Sequence, residues 1–157
     1  MRERTLKELF QVLLGVEKGK CEYYPCHFEG QNCDFCYCPF YPCLIHETGG
    51  YLKGKVWSCQ YCDFIHKKDV AEKVKYILGS YPRQVLIEGD WIFFNEIFQE
   101  IFFGEIKGRK VGKSYTVYEL GNDEECCLVI LENFEIKDVK RGKFKELTDE
   151  GGIIIPI

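Results

Sequence analysis

Eight of the ten cysteines lie between Cys21 and Cys62, and the three histidines are threaded through the same stretch or sit just beyond it. The thiols are Cys21, Cys26, Cys33, Cys36, Cys38, Cys43, Cys59 and Cys62, and the imidazoles are His27, His46 and His66. Thiolate is the soft ligand that holds zinc or iron–sulfur clusters, and a Cys-x2-Cys knuckle brings two sulfurs to one metal. Two such knuckles are present, Cys33/Cys36 and Cys59/Cys62. Eight thiols suffice for two four-ligand sites, so about two zinc ions per chain are expected. The simplest pairing puts Cys33, Cys36, Cys38 and Cys43 in one site and Cys21, Cys26, Cys59 and Cys62 in the other. Interleaved sets, or a histidine replacing a cysteine, are the open alternatives. His66 follows Cys62 closely enough to point back at a site and is the histidine carried as a metal ligand. His27, directly after Cys26, is better placed to support a ligand than to share its metal. His46 reads as a loop histidine.

Zinc is the expected ion, because closed thiolate sites can supply on the order of 10 kcal/mol of folding free energy to a short segment. An iron–sulfur cluster is the alternative. Cys36-x-Cys38-Pro39 shares the Cys-Pro step of ferredoxin runs but neither of their common spacings. A closed four-thiolate set leaves no position for substrate, so no catalytic residue is assigned and a non-catalytic binding or adaptor role is expected. Electron transfer or redox sensing would go with a cluster.

Composition narrows the class. The chain has 157 residues, 46% hydrophobic and 15% aromatic, enough to bury a real core. No apolar run reaches the roughly 18–20 residues of a membrane span, and Met1–Thr5 is charged, unlike a secretory signal. A cytoplasmic location is therefore expected, with reduced thiols available for metal. Disulfides are the minor alternative, since the Glu-, Lys- and Ile-rich composition is that of hyperthermophiles. Residues 1–79 carry a net +1 and residues 80–157 a net −5. Residues 21–52 hold no Lys or Arg, so Phe35, Tyr37, Phe40 and Tyr41 are expected to form a small core around the metals rather than stack nucleic-acid bases. The partner expected is a protein.

The run C-x4-C-H-x2-G-x2-C-x-F-C-Y-C-P-F-Y-P-C, followed by V-W-S-C-x2-C-x2-I-H, resembles the zinc-finger-like cysteine-rich small domain of archaea and some bacteria. The likeness spans roughly Cys21 to Ile77. Such domains also occur as extensions of threonine-phosphate decarboxylase, so the resemblance implies a link to cobamide synthesis, as an accessory factor. It assigns no role to residues 80–157.

The elements that must position these residues give an α+β chain. A metal-stabilised module with flanking helices (residues 1–79) precedes a small antiparallel β domain with one helix (80–157), and Ser80-Tyr81-Pro82 marks the boundary. Thr5-x2-Glu8 suggests a capping box opening a helix over Leu6–Val16, with Gly19 as its stop. Pro and Gly interrupt Cys21–Cys62, and a loop that long needs metal to order it. Lys55–Ser58 reads as a strand and Asp69–Leu78 as a helix. Val85-Leu86-Ile87 reads as a strand. Trp91–Phe103 reads as a helix capped by Asp90 and closed by Gly104, with Phe94, Ile97, Phe98, Ile101 and Phe102 on one face and Asn95, Glu96, Gln99 and Glu100 opposite. Glu105–Val111, Ser114–Leu120 and Cys126–Ile136 read as strands, with Cys126 and Cys127 on opposite faces. The Ile153–Ile155 run must dock as a strand or form an interface. With the Phe-rich helix it points weakly to a homodimer. Lys107–Lys113 and Lys137–Lys145 are basic clusters that would hold a phosphate only if folded side by side; otherwise they are solvated turns.

Overall fold

A computed structural model describes residues 2–19, 21–104 and 107–157. The elements run α1 (Arg2–Leu13), β1 (Tyr51–Lys53), β2 (Val56–Ser58), α2 (Lys68–Gly79), α3 (Arg83–Glu88), α4 (Trp91–Phe103), β3 (Arg109–Val111), β4 (Ser114–Thr116), β5 (Glu125–Glu132), β6 (Glu135–Lys143), α5 (Phe144–Leu147) and β7 (Gly152–Pro156). The class is α+β, with a cysteine-rich segment between α1 and α2.

α1 already covers Arg2, so Thr5 is a buried helical residue and not its N-cap. The Arg2 guanidinium explains the earlier start. It stacks 3.6 Å from the Phe134 ring centroid and 4.4 Å from that of Phe94, anchoring the first turn. The helix ends at Leu13 and is closed by Gly15, not Gly19. Gly15 has φ 76°, and Val16 N–H reaches Gln11 C=O while Gly15 N–H reaches Val12 C=O, a left-handed glycine closure.

Val85–Ile87 is helical, not extended. Pro82 precedes the first turn, Gln84 donates to Glu88 at 2.9 Å one turn on, and only Leu86 is buried. A strand here would lack a partner. α4 forms as its spacing predicts, with Asp90 accepting from Phe93 N–H and Gly104 left-handed at φ 76°. Its expected polar face is only half solvated: Glu100 is exposed and Glu96 half-buried, but Asn95 is 1% and Gln99 0% exposed.

β1 and β2 form an antiparallel hairpin beside the cysteine loops. The larger sheet has the order β3-β4-β7-β5-β6, antiparallel except for the parallel β4/β7 pair. The Ile153–Ile155 run is a docked strand at its centre. Cys126–Ile136 is two strands. Asn133 and Phe134, with φ of 51° and 67°, turn the chain between β5 and β6. Of the expected strand Glu105–Val111, Glu105 and Ile106 lie outside the described residues, and the strand runs Arg109–Val111. Ser114–Leu120 shortens to Ser114–Thr116.

Cys126 and Cys127 do face opposite sides, and both are buried. Cys127 joins the main core, and Cys126 packs with Leu128, Phe144, Leu147 and Ile154. That main core is continuous from Leu9, Phe35 and Phe40 through Val74 and Leu78 to Phe94, Phe98 and Ile155. The basic clusters end up at opposite edges of the sheet, on β3 and β6. Lys137 pairs with Glu135, Lys140 with Glu150 and Lys145 with Asp123. They do not form one phosphate site.

Candidate metal centre

Two groups of thiols emerge, and neither is the simplest pairing. Cys38 and Cys43 from the first loop join Cys59 and Cys62 from the second, and all four line one cavity of about 300 Å³. Cys26 and Cys33 face the buried side chain of Gln31, and Cys36 lies beside Cys33. Cys21 is exposed and lies along a different cleft, with Cys33 and Lys18. The groups interleave: Cys36 sides with Cys33 and Cys26, and Cys38, two residues on, sides with Cys43, Cys59 and Cys62. Tyr37 packs its ring under the Arg4 guanidinium, 4.6 Å away.

The four-thiol group is held from several directions. Tyr41 donates to the Trp57 carbonyl at 2.7 Å, tying the first loop to β2 just ahead of Cys59. Cys62 N–H closes the second knuckle on Cys59 C=O at 3.1 Å. Gly49 and Gly50 permit that approach. A Cβ on Gly49 would stand 2.5 Å from the Tyr61 carbonyl oxygen, and one on Gly50 would stand 2.6 Å from the Trp57 ring. From below, α4 reaches up: Trp91 Nε1 donates to Pro42 C=O at 2.7 Å and Asn95 Nδ2 to Cys43 C=O at 2.9 Å. Leu44 then takes a left-handed turn at φ 58°. Tyr118 receives His46 N–H at 3.1 Å, fixing the chain after that turn.

Burial pushes the Cys43 and Cys59 thiols up to about 12, and Cys38 well above its usual range. Neighbouring thiols push the same way: Cys59 and Cys62 on Cys43, and Cys62 on Cys59. Such a group stays protonated at neutral pH unless a cation offsets both burial and mutual repulsion. The donor set therefore suits a thiophilic divalent ion. Among the described residues no three His, Cys, Asp or Glu side chains are already closed into a metal-holding cluster. The four thiols line a common cavity and would have to move inward to ligate one ion.

At the second group Gln31 is the organiser. Its Oε1 accepts from His27 N–H at 2.8 Å and Phe28 N–H at 3.3 Å, which fixes its amide orientation. Its Nε2 then faces Cys26 Sγ and Cys33 Sγ, each at 3.4 Å. His66, 5% exposed, packs against His27 with ring centroids 4.3 Å apart and planes tilted by 33°. His27 Nε2 is buried with no hydrogen-bond partner. The structure thus draws His27 and His66 to the same place, beside Cys36 in the shared cavity. His46 is not with them. It caps the Trp57 ring edge-on at 5.4 Å. Gln31 had no signal in the sequence, since a lone glutamine in a loop carries none.

Residues 13–85 match the family described as the cysteine-rich small domain. Over 72 residues the chain is 61% identical to a probable cobalt-factor III C(17)-methyltransferase of Methanothermobacter thermautotrophicus, covering 43% of this chain and 20% of that protein. Over 78 residues it is 53% identical to an uncharacterized protein of Methanocaldococcus jannaschii, covering 47% of this chain and 64% of that protein. The chain thus spans a fifth of one relative and under two thirds of the other. No solved structure matches it.

Proposed function

We propose that this chain is a non-catalytic metal-binding module, in which residues 21–66 take up two divalent ions, zinc first among them, and present the ordered loops to a protein partner. The observation that carries the reading is the convergence of Cys38, Cys43, Cys59 and Cys62, from two loops, on one cavity. Four thiolates complete a tetrahedral zinc shell without help from solvent, so the ion would supply folding free energy and no open coordination position. The chain's own residues supply the rest: Tyr41, Trp91 and Asn95 fix the backbone from which the thiols project.

The test is elemental analysis and a visible absorption spectrum on anaerobically purified protein. About two zinc per chain and no visible band are expected. Iron with acid-labile sulfide and a broad visible band would replace this reading with an iron–sulfur protein of electron transfer or redox sensing.

The printed name of the Methanothermobacter relative favours a setting in cobamide synthesis. Its 61% identical stretch occupies only a fifth of that protein. The partner to try first is therefore a cobalt-factor III methyltransferase that lacks such a segment. Retention of that enzyme on immobilised, metal-loaded chain supports the accessory role. Failure to retain it, with the metal content intact, removes the cobamide setting and leaves the metal module.

A further inference from the structure

We propose that the two centres differ in kind: the ion beside Gln31 is held by Cys26, Cys33 and Cys36 with the imidazole of His66, and is the exchangeable one of the pair. This inference rests on the two-ion reading above and goes beyond it in ligand type and in lability.

The ligand atom follows from hydrogen-bond chemistry. His66 Nδ1 lies 2.8 Å from the carbonyl oxygen of Asn32, which can only accept. Nδ1 therefore carries the proton, and Nε2 carries the lone pair. A backbone carbonyl holding the far N–H of an imidazole is the usual support of a metal-bound histidine. The Gln31 amide is turned so that its Nε2 is also a donor, so its 3.5 Å approach to His66 Nδ1 is a contact between two donors and not a bond. The amide nitrogen stands 3.4 Å from Cys26 Sγ, 3.4 Å from Cys33 Sγ and 3.5 Å from the protonated Nδ1 of His66. Donor hydrogens at that point do for the sulfurs what a cation would do more strongly. Once an ion is in place, the same amide becomes a hydrogen-bond donor to its thiolates. The neighbouring His27 Nε2 is buried without a hydrogen-bond partner, and its Nδ1 lies 3.2 Å from Cys26 Sγ.

Lability follows from exposure. Cys26 and Cys36 are exposed, whereas Cys43 in the other group is buried and its companions are half-buried. A chelator or an acceptor protein can reach the first pair. A mixed sulfur and nitrogen shell also suits the borderline ions Co2+, Ni2+ and Zn2+, where four thiolates lean toward zinc.

The full chain is loaded anaerobically with Co2+, and release to a chelator is followed by ligand-field absorption. Two ions are expected, one leaving about tenfold or more faster than the other. His66→Ala should lose the fast ion alone, His66→Cys should regain it with an all-sulfur spectrum, and Cys21→Ser should keep both ions. A single release rate for both ions overturns the inference, as does a His66→Ala chain that keeps both ions with an unchanged spectrum. So does loss of the fast ion in Cys21→Ser with none in His66→Ala. Wild-type protein that holds only one ion, or none, overturns the two-ion reading together with this inference, whereas two ions that leave at one rate, or that both survive His66→Ala, overturn this inference alone.

Discussion

Asn95, buried on α4, donates from Nδ2 to the carbonyl of Cys43, 52 residues earlier, at 2.9 Å. One turn on, Gln99 donates to Asn95 Oδ1 and to Tyr115 at β4. A chain of buried polar groups thus runs from the sheet, through the helix, to a candidate ligand. Residues 80–157, which the resemblance left without a role, grip the first cysteine loop.

Asn95→Leu leaves the buried Cys43 carbonyl without its donor and removes one of the two acceptors of the Gln99 amide, Tyr115 being the other. The expected cost is about 2 kcal/mol of unfolding free energy. Urea denaturation of the metal-loaded chain measures it, and zinc content should also fall as Cys43 loses its anchor. A midpoint unchanged from wild type would show that the buried chain of amides is not coupled to the loop.

The second knuckle offers a backbone test. Gly49 combines φ 95° with a Cβ position 2.5 Å from the Tyr61 carbonyl oxygen. Gly49→Ala should destabilise by roughly 1–3 kcal/mol, because alanine is disfavoured at that φ and the carbonyl it meets is backbone. Thermal unfolding with zinc present is the readout, and a melting temperature at or above wild type would contradict the geometry.

Metal removal should expose an alkaline weakness. In the metal-free fold Cys43 and Cys59 are raised from an ordinary 9.0 to about 12, chiefly by burial. A raised folded pKa means stability fully present below the unfolded value and lost as pH climbs toward the folded one. The chelated protein should therefore lose stability steadily from about pH 9 toward pH 12. The zinc-loaded protein should hold its stability over the lower part of that range, its thiolates being already ionised and paired. Melting curves of both forms across the range decide it: parallel curves count against metal at these thiols.

Asp90→Ala serves as the control. Asp90 Oδ1 accepts from Phe93 N–H at 2.9 Å at the start of α4. Its loss should cost about 1 kcal/mol. Metal content should not change, since Asp90 touches neither thiol group. Loss of an ion with this variant would mean that any weakening of α4 releases metal, and the specific effect assigned to Asn95 would fail.

The chemistry was easier to read from the sequence than its partition. Clustered Cys-x2-Cys pairs make metal the expectation through residue type and spacing, and α4 is legible because its apolar stripe, Asp90 and Gly104 all agree. The grouping of thiols was hidden because sequence neighbours such as Cys36 and Cys38 can face different ways from an irregular loop. The Thr5 cap failed because Arg2 gains an aromatic seat that only the folded chain provides. Val85–Ile87 looks β-prone in isolation, and its exposure decided otherwise. Asn95 and Gln99 follow the polar pattern of a solvated face, yet they are buried because Cys43 and Tyr115 supply partners. A polar residue at helical spacing does not reveal whether water or protein satisfies it.

The position of β7 also sets the order of assembly. β3 with β4, and β5 with β6, are hairpins that can zip from local turns as the chain is made. β7 pairs with β4 on one side and β5 on the other, and it is translated after both. Until Gly152–Pro156 leaves the ribosome, the two hairpins are separate pieces with facing unpaired edges, open to association with other chains. The sheet is therefore a clasp closed by its last-made strand. A ribosome stalled before that strand would hold two hairpins and no sheet.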